Sequence, residues 1–217
     1  MTYSRFTVAV VCAGLATTLS GCFGNGSGGG GAGAAGGGSA GGSQGYEAAF
    51  DAVSAKTPTS DMPTQIKASY EGQFKVGVNS GTAQVFGTNV DPQMAEIIGD
   101  LAIDVDWTDG QTANPFSGTA TNITATEAGT SNSVVLDGTL SVDQGLPASI
   151  GRTTIPAQVI AGNSIPEQNT GSSLFHMSGR LSNGANEGDA TLQFGGTFFG
   201  PGGESMQGPV SGGINDV

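Results

Sequence analysis

The sequence predicts an all-β fold, a single antiparallel β-barrel of about eight strands with short helical segments and a disordered N-terminal linker. Three observations carry that expectation. Glycine supplies 39 of the 217 residues and, with Thr, Ser, Asn and Val, dominates a body poor in Leu, Lys and Glu, which opposes long helices and suits strands joined by tight turns. Alternation with a period of two recurs: Ile66, Ala68, Tyr70, Gly72, Phe74, Val76 and Val78 share one face, and Leu101, Ile103, Val105 and Trp107 another. Turn chemistry then separates the candidate strands, at Asn79-Ser80-Gly81, Asp109-Gly110, Glu127 to Asn132, Asp143-Gln144-Gly145, Gly162-Asn163 and Ser182 to Gly188.

In chain order, the first element is an export signal. Arg5 precedes an apolar run from Phe6 to Leu19 that ends at Leu19-Ser20-Gly21-Cys22, a lipobox in which small residues precede a cysteine that is alkylated by diacylglycerol. The run has the length of a signal h-region and falls short of the roughly 20 residues that span a bilayer. Residues 1–21 are expected to be removed, leaving Cys22 as a lipidated N-terminus anchored to the membrane, since two or three acyl chains hold stably where one does not. Phe23, in place of an aspartate after the cysteine, points to the outer membrane, with periplasmic and surface exposure both open. Cys12 lies in the segment removed, so the mature chain can form no internal disulfide.

Phe23 to Gly45 completes the linker, domain 22–45, with 13 glycines among its 23 residues. It has almost no apolar side chain to offset the entropy of ordering, and as a flexible coil reaches on the order of 25 Å. Residues 46–217 form one domain, of a size that builds a single core. Its expected strands are Ile66–Val78, Gly81–Gly87, Leu101–Trp107, Phe116–Ala125, Val134–Val142, Thr153–Ala161, Leu174–Leu181 and Ala190–Phe199. Two short helices are expected, Tyr46–Val53 from its helical spacing and Pro92–Ile98 from an Asp91 cap with proline at the first helical position.

Charge narrows the partners. Loss of Arg5 with the signal takes the net charge from −12 to −13, and such a surface repels nucleic-acid phosphates and anionic headgroups. No nucleic acid is expected as a partner. A lipid-anchored membrane contact, and an unknown protein or small-molecule ligand, are.

Three segments together resemble the lipoprotein barrel domain of transferrin-binding protein B and its proteobacterial relatives. They are Leu101–Trp107 closed by Thr108-Asp109-Gly110, Phe116–Ile123 with Gly118, and Gly196–Gly208, which carries Phe198, Phe199, Gly200, Pro201, Glu204 and Gly208 as an aromatic pair, Gly-Pro, a glutamate and a following glycine. The resemblance spans roughly Tyr70 to Gly212. It implies the barrel, the surface location and a structural role for Trp107, Gly118 and the terminal residues, with Gly208–Gly213 returning as a final strand against Ile66–Val78. It also implies ligand capture, of a solute, a metal-bearing host protein or another protein. Family members proper have two lobes, each a barrel and a handle, whereas this chain has room for one barrel, and no ligand-contact residue carries over. The alternative is a structural or adhesive envelope lipoprotein with no captured ligand.

Catalytic signals are few. His176 is the one histidine, and no Gly-x-Ser-x-Gly elbow accompanies it. His176 beside Met177 could ligate haem, as in haem-carrying relatives of the barrel, or serve as an ordinary strand histidine. Asp104, Asp106 and Asp109 superficially resemble a calcium loop, but their spacing fails the twelve-residue pattern and alternation puts the first two on a solvent face. The expectation is a binding protein, not an enzyme, with no cofactor and no metal.

Overall fold

In a computed structural model the described residues are 8–15, 43–77, 95–127, 132–184 and 186–216. Most of them lie in strands. The expected strand at Gly81–Gly87 falls outside the described residues.

The best-formed pair is β2 (Gln65–Gly77) with β3 (Ala95–Thr108), antiparallel and in continuous register from Gln65↔Thr108 to Gly77↔Glu96. Its pleat sorts the side chains as the alternation predicts: Leu101, Ile103, Val105 and Trp107 are buried while Ala102, Asp104 and Asp106 face solvent. Across the pair, Ile66, Tyr70, Phe74 and Val76 turn inward. Paired residues of an antiparallel ladder share a face, so the two alternating sequences match only in registers of this parity, and a slip by one residue would turn every apolar side chain outward.

The expected helix at Pro92–Ile98 is corrected. Residues 95–98 begin β3, pairing with β2 on one side and with β4 (Phe116–Glu127) on the other. Cap chemistry is a local signal, and here the burial of Ile97 and Ile98, each 6% exposed, overrides it. The two isoleucines still alternate, Ile97 joining the interior cluster while Ile98, paired with Lys75 and Thr124, lies on the other face. Next to them the β3–β4 register shifts between Ile98 and Asp100, a bulge on β4 that sets Asn122 at φ 52 with its side-chain amide donating to Asp100 Oδ2 at 2.8 Å. Gly99, within the bulge, leaves no room for a side chain: a Cβ there would stand 2.4 Å from the Phe74 ring.

The next course of the sheet is broken. In place of one strand at Val134–Val142, β5 (Ser133–Val135) pairs with β4, β7 (Leu140–Val142) bridges β4 and β11 (Gln168–Asn183), and β6 (Asp137–Gly138) and β8 (Ser149–Ile155) pair with β11. The expected strand Thr153–Ala161 is likewise divided, because Pro156 has no N–H for a ladder. Beyond it, β9 (Gln158–Ile160) and β10 (Asn163–Ile165) form a separate two-stranded ribbon. β11, β12 (Asn186–Phe199) and β13 (Ser205–Asp216) follow as an antiparallel meander.

Closure differs from expectation. β13 pairs not with the Ile66–Val78 strand but with β1 (Val8–Leu15), which pairs in turn with β2. Strand direction gives the reason. β1 is antiparallel to both neighbours, so β2 and β13 run parallel to each other, and an antiparallel ring needs one more strand of opposite direction between them. With it, the order β12-β13-β1-β2-β3-β4-β7-β11 returns to β12 and the barrel closes.

Side chains fill the interior. Phe116 and Phe175 pack at 4.7 Å between centroids, Phe175 stacks on Phe194 at 4.9 Å, and Phe194 meets Phe74 edge-on at 5.9 Å, a column across the barrel. Trp107, Ile123, Leu136, Leu140 and Met177 pack around it in one cluster. Outside the barrel, α1 (Ser43–Ser54) begins inside the expected linker and buries Tyr46 and Val53 against Phe50 and Phe199. Lys75 fixes the helix to the sheet, pairing with Glu47 and lying 5.0 Å from the Tyr46 ring centroid.

Candidate functional site

The terminal signature is a clasp. Phe198 is fully buried against Tyr70, with ring centroids 6.4 Å apart, while Phe199, next in a period-two strand, faces outward to the α1 cluster. The aromatic pair thus joins two cores. Gly200-Pro201-Gly202-Gly203 then turns with φ of 74 at Gly200, 63 at Gly202 and 80 at Gly203, left-handed values that side chains resist. A Cβ at Gly200 would also stand 2.5 Å from the Glu204 side chain.

Polar groups of this turn tie it to the segment that follows α1 and to β2. The Thr59 hydroxyl donates to Gly200 O at 2.7 Å, Gly202 N donates to Asp61 Oδ1 at 2.8 Å, and the Tyr70 hydroxyl donates to Gly203 O at 2.8 Å. Lys56 Nζ donates to Glu204 Oε1 and to Ser205 Oγ, both at 2.8 Å. The peptide from 56 to 62 is thereby tied across the end of the barrel, with Met62 and Thr59 buried. Gly208, one turn on, lies so close to β12 that a Cβ would be 2.2 Å from Gly195 O. Gly118 has φ 134 and the same restriction against Ala102 O. These residues shape the fold.

The acidic triplet is dispersed over three partners on the outer surface. Asp104 accepts from the Ser69 hydroxyl, Asp106 pairs with Lys67 Nζ at 3.2 Å, and Asp109 lies 3.8 Å from Arg152 Nη1. Among the described residues no group of three or more His, Cys, Asp or Glu is placed to hold a metal. His176 Nδ1 sits 2.8 Å from Pro147 O on the outer half of β11, while its neighbour Met177 is buried, so the two side chains face opposite sides and cannot share one haem iron. The carboxyl of Asp143, close by, is held below the usual carboxylate range by the Ser178 hydroxyl first and then by the backbone N–H of Gly145. Cys22 lies outside the described residues.

Sequence reasoning missed the β9–β10 ribbon. Pro156 and Pro166 flank it on its two strands, and its tip Ile160-Ala161-Gly162-Asn163 turns with φ 50 at Ala161 and 82 at Gly162, the geometry of a type I′ hairpin. Val159 is 72% exposed and Ile160 53%, and no charged residue occurs between Arg152 and Glu167. Val159 pairs with Ser164 and Ile160 with Asn163, so adjacent apolar side chains occupy opposite faces. The absence of charge over so long a stretch of an acidic chain was the readable signal. Comparison with family models, with curated proteins and with solved structures finds no match to this chain.

Proposed function

We propose that this chain is an outer-membrane lipoprotein, anchored through Cys22, whose barrel binds a protein partner on its outer surface and does no catalysis. The kinship with the transferrin-binding protein B barrel domain belongs to the same reading and rests on the chain's own motifs. The observation that carries the binding role is the uncharged ribbon Thr153–Pro166, which exposes Val159 and Ile160 on opposite faces. A projecting, uncharged hairpin with an exposed apolar side chain on each face is an element that a protein partner can clasp from both sides. The aromatic column supports an external site, since Phe74, Phe116, Phe175 and Phe194 occupy the interior that a small ligand would need. The same packing argues against an internal solute site and in favour of a protein partner.

The test uses intact cells producing the full chain. Palmitate labelling should be lost in Cys22→Ser and the protein released from membranes. A photo-crosslinking residue at position 159 should give one discrete adduct, abolished by Ile160→Asp. Label that persists in Cys22→Ser would refute the anchor. A clean absence of adducts would leave the structural, ligand-free lipoprotein as the better reading.

A further inference from the structure

The strand that closes the barrel, β1, lies inside the segment expected to be cut away. Between β2 and β13 it makes two ladders, Val10↔Phe74 to Leu15↔Ser69 on one side and Val8↔Val210 to Ala13↔Ser205 on the other. Without it, the described courses run from β2 through β3, β4, the broken course β5–β8, β11 and β12 to β13, an odd number whose two ends point the same way. The ends cannot join as an antiparallel pair. A parallel junction would differ from every ladder between the described strands, and would require moving the two strands together by the width of a strand, about 4.8 Å.

Other contacts oppose that movement. α1 lies across the seam and is tied to both sides, to β2 through Lys75 with Glu47 and to β13 through the hydrogen-bonded pair Ser54 and Gln207. On the inner side the Phe74 ring rests on Phe194 and the Tyr70 ring on Phe198, which fixes β2 relative to β12. The seam therefore has the spacing and the direction of an open edge.

We propose that in the processed chain this seam is an acceptor for an extended strand donated by another protein, antiparallel to both β2 and β13. The segment seated there, Val-Ala-Val-Val-Cys-Ala-Gly-Leu, defines the chemistry the seam takes: an uncharged run of small and β-branched residues, paired through its backbone on both edges. The inference rests on removal of residues 1–21, the export reading above.

The experiment begins with the protein purified from membranes, its N-terminus defined by intact mass. A fluorescein-labelled peptide of residues 6–17, with Cys12→Ser and terminal lysines for solubility, is titrated against it. A control peptide carries Val11→Pro and Ala13→Pro. The seam should bind the first at least tenfold more tightly than the control, and binding should slow amide exchange at residues 69–74 and 205–210 at least tenfold. Equal binding of both peptides, with those amides already slow in the free protein, would overturn the proposal by showing a seam closed on itself. If the mass instead begins at Met1, the export reading fails separately. The seam is then decided on the full chain carrying Val11→Pro and Ala13→Pro, whose own strand is disabled: entry of the peptide supports the acceptor, and exclusion refutes it.

Discussion

Phe175 is the residue on which the external-site argument turns. It is 1% exposed and central in the aromatic column, with Phe116 on one side and Phe194 stacked at an interplanar angle of 3° on the other. Phe175→Ala removes the ring and leaves a void that the closed barrel cannot collapse into, since its neighbours are fixed by ladders on both edges. Truncation of a buried Phe costs about 3–5 kcal/mol, and loss of two ring contacts at about 0.5–1.5 kcal/mol each places this one toward the upper end. With a urea dependence of about 2 kcal/mol per molar, a loss of about 4 kcal/mol lowers the midpoint by about 2 M. In thermal unfolding the same loss is about 8–16 °C for a domain of this size. Phe175→Leu, which keeps most of the volume, should cost under about 2 kcal/mol. A loss below about 1 kcal/mol for Phe175→Ala would refute the reasoning: the ring would then border free space, and a ligand inside the barrel would again be the better reading.

Other outcomes follow from the same geometry. Gly118→Ala places a Cβ 2.1 Å from Ala102 O at φ 134, so strain and overlap should together cost about 2–5 kcal/mol, whereas Gly110→Ala, at φ 80 with nothing within 4 Å, should cost about 1 kcal/mol; equal melting shifts would disprove the close approach of β3 and β4. Trp107→Ala should destabilise by about 3–5 kcal/mol, while Trp107→Phe should cost much less, because among the described residues the buried indole N–H has no partner to lose; the two unfolding midpoints check this. The Asp143 carboxyl is more acidic folded than unfolded, so the Ser178 contact stabilises above its ordinary value of 3.8 and the benefit is lost as pH falls through the lower folded value. Ser178→Ala should therefore narrow the stability gap to the wild type below that pH, and a gap constant from pH 6 to pH 2 would contradict the assignment.

Much of this architecture is legible in the sequence because a strand's side-chain period is a property of its own backbone. Leu101, Ile103, Val105 and Trp107 are buried, and the residues between them exposed, for a reason that needs no knowledge of their partners. The terminal turn is legible on the same ground, since Gly200-Pro201-Gly202-Gly203 permits the left-handed angles found there. The α1 helix is likewise readable from the spacing of Tyr46, Ala49, Phe50 and Val53.

What the sequence left undecided depends on contacts distant along the chain. Asp91 and Pro92 carry a local helix-start signal, but pairing with β2 on one side and β4 on the other makes sheet positions of Ile97 and Ile98, and those partners are distant along the chain. The role of Phe199, outward on α1 rather than inward with Phe198, depends likewise on where the helix docks. The sequence by itself determined the class of fold, the faces of its strands and the chemistry of its turns, because these follow from the backbone of each segment. The tertiary structure alone decided how the ring closes, because the parity of strand directions belongs to the whole barrel: β2 and β13 end up parallel, and only a strand between them, here Val8–Leu15, can complete an antiparallel circuit.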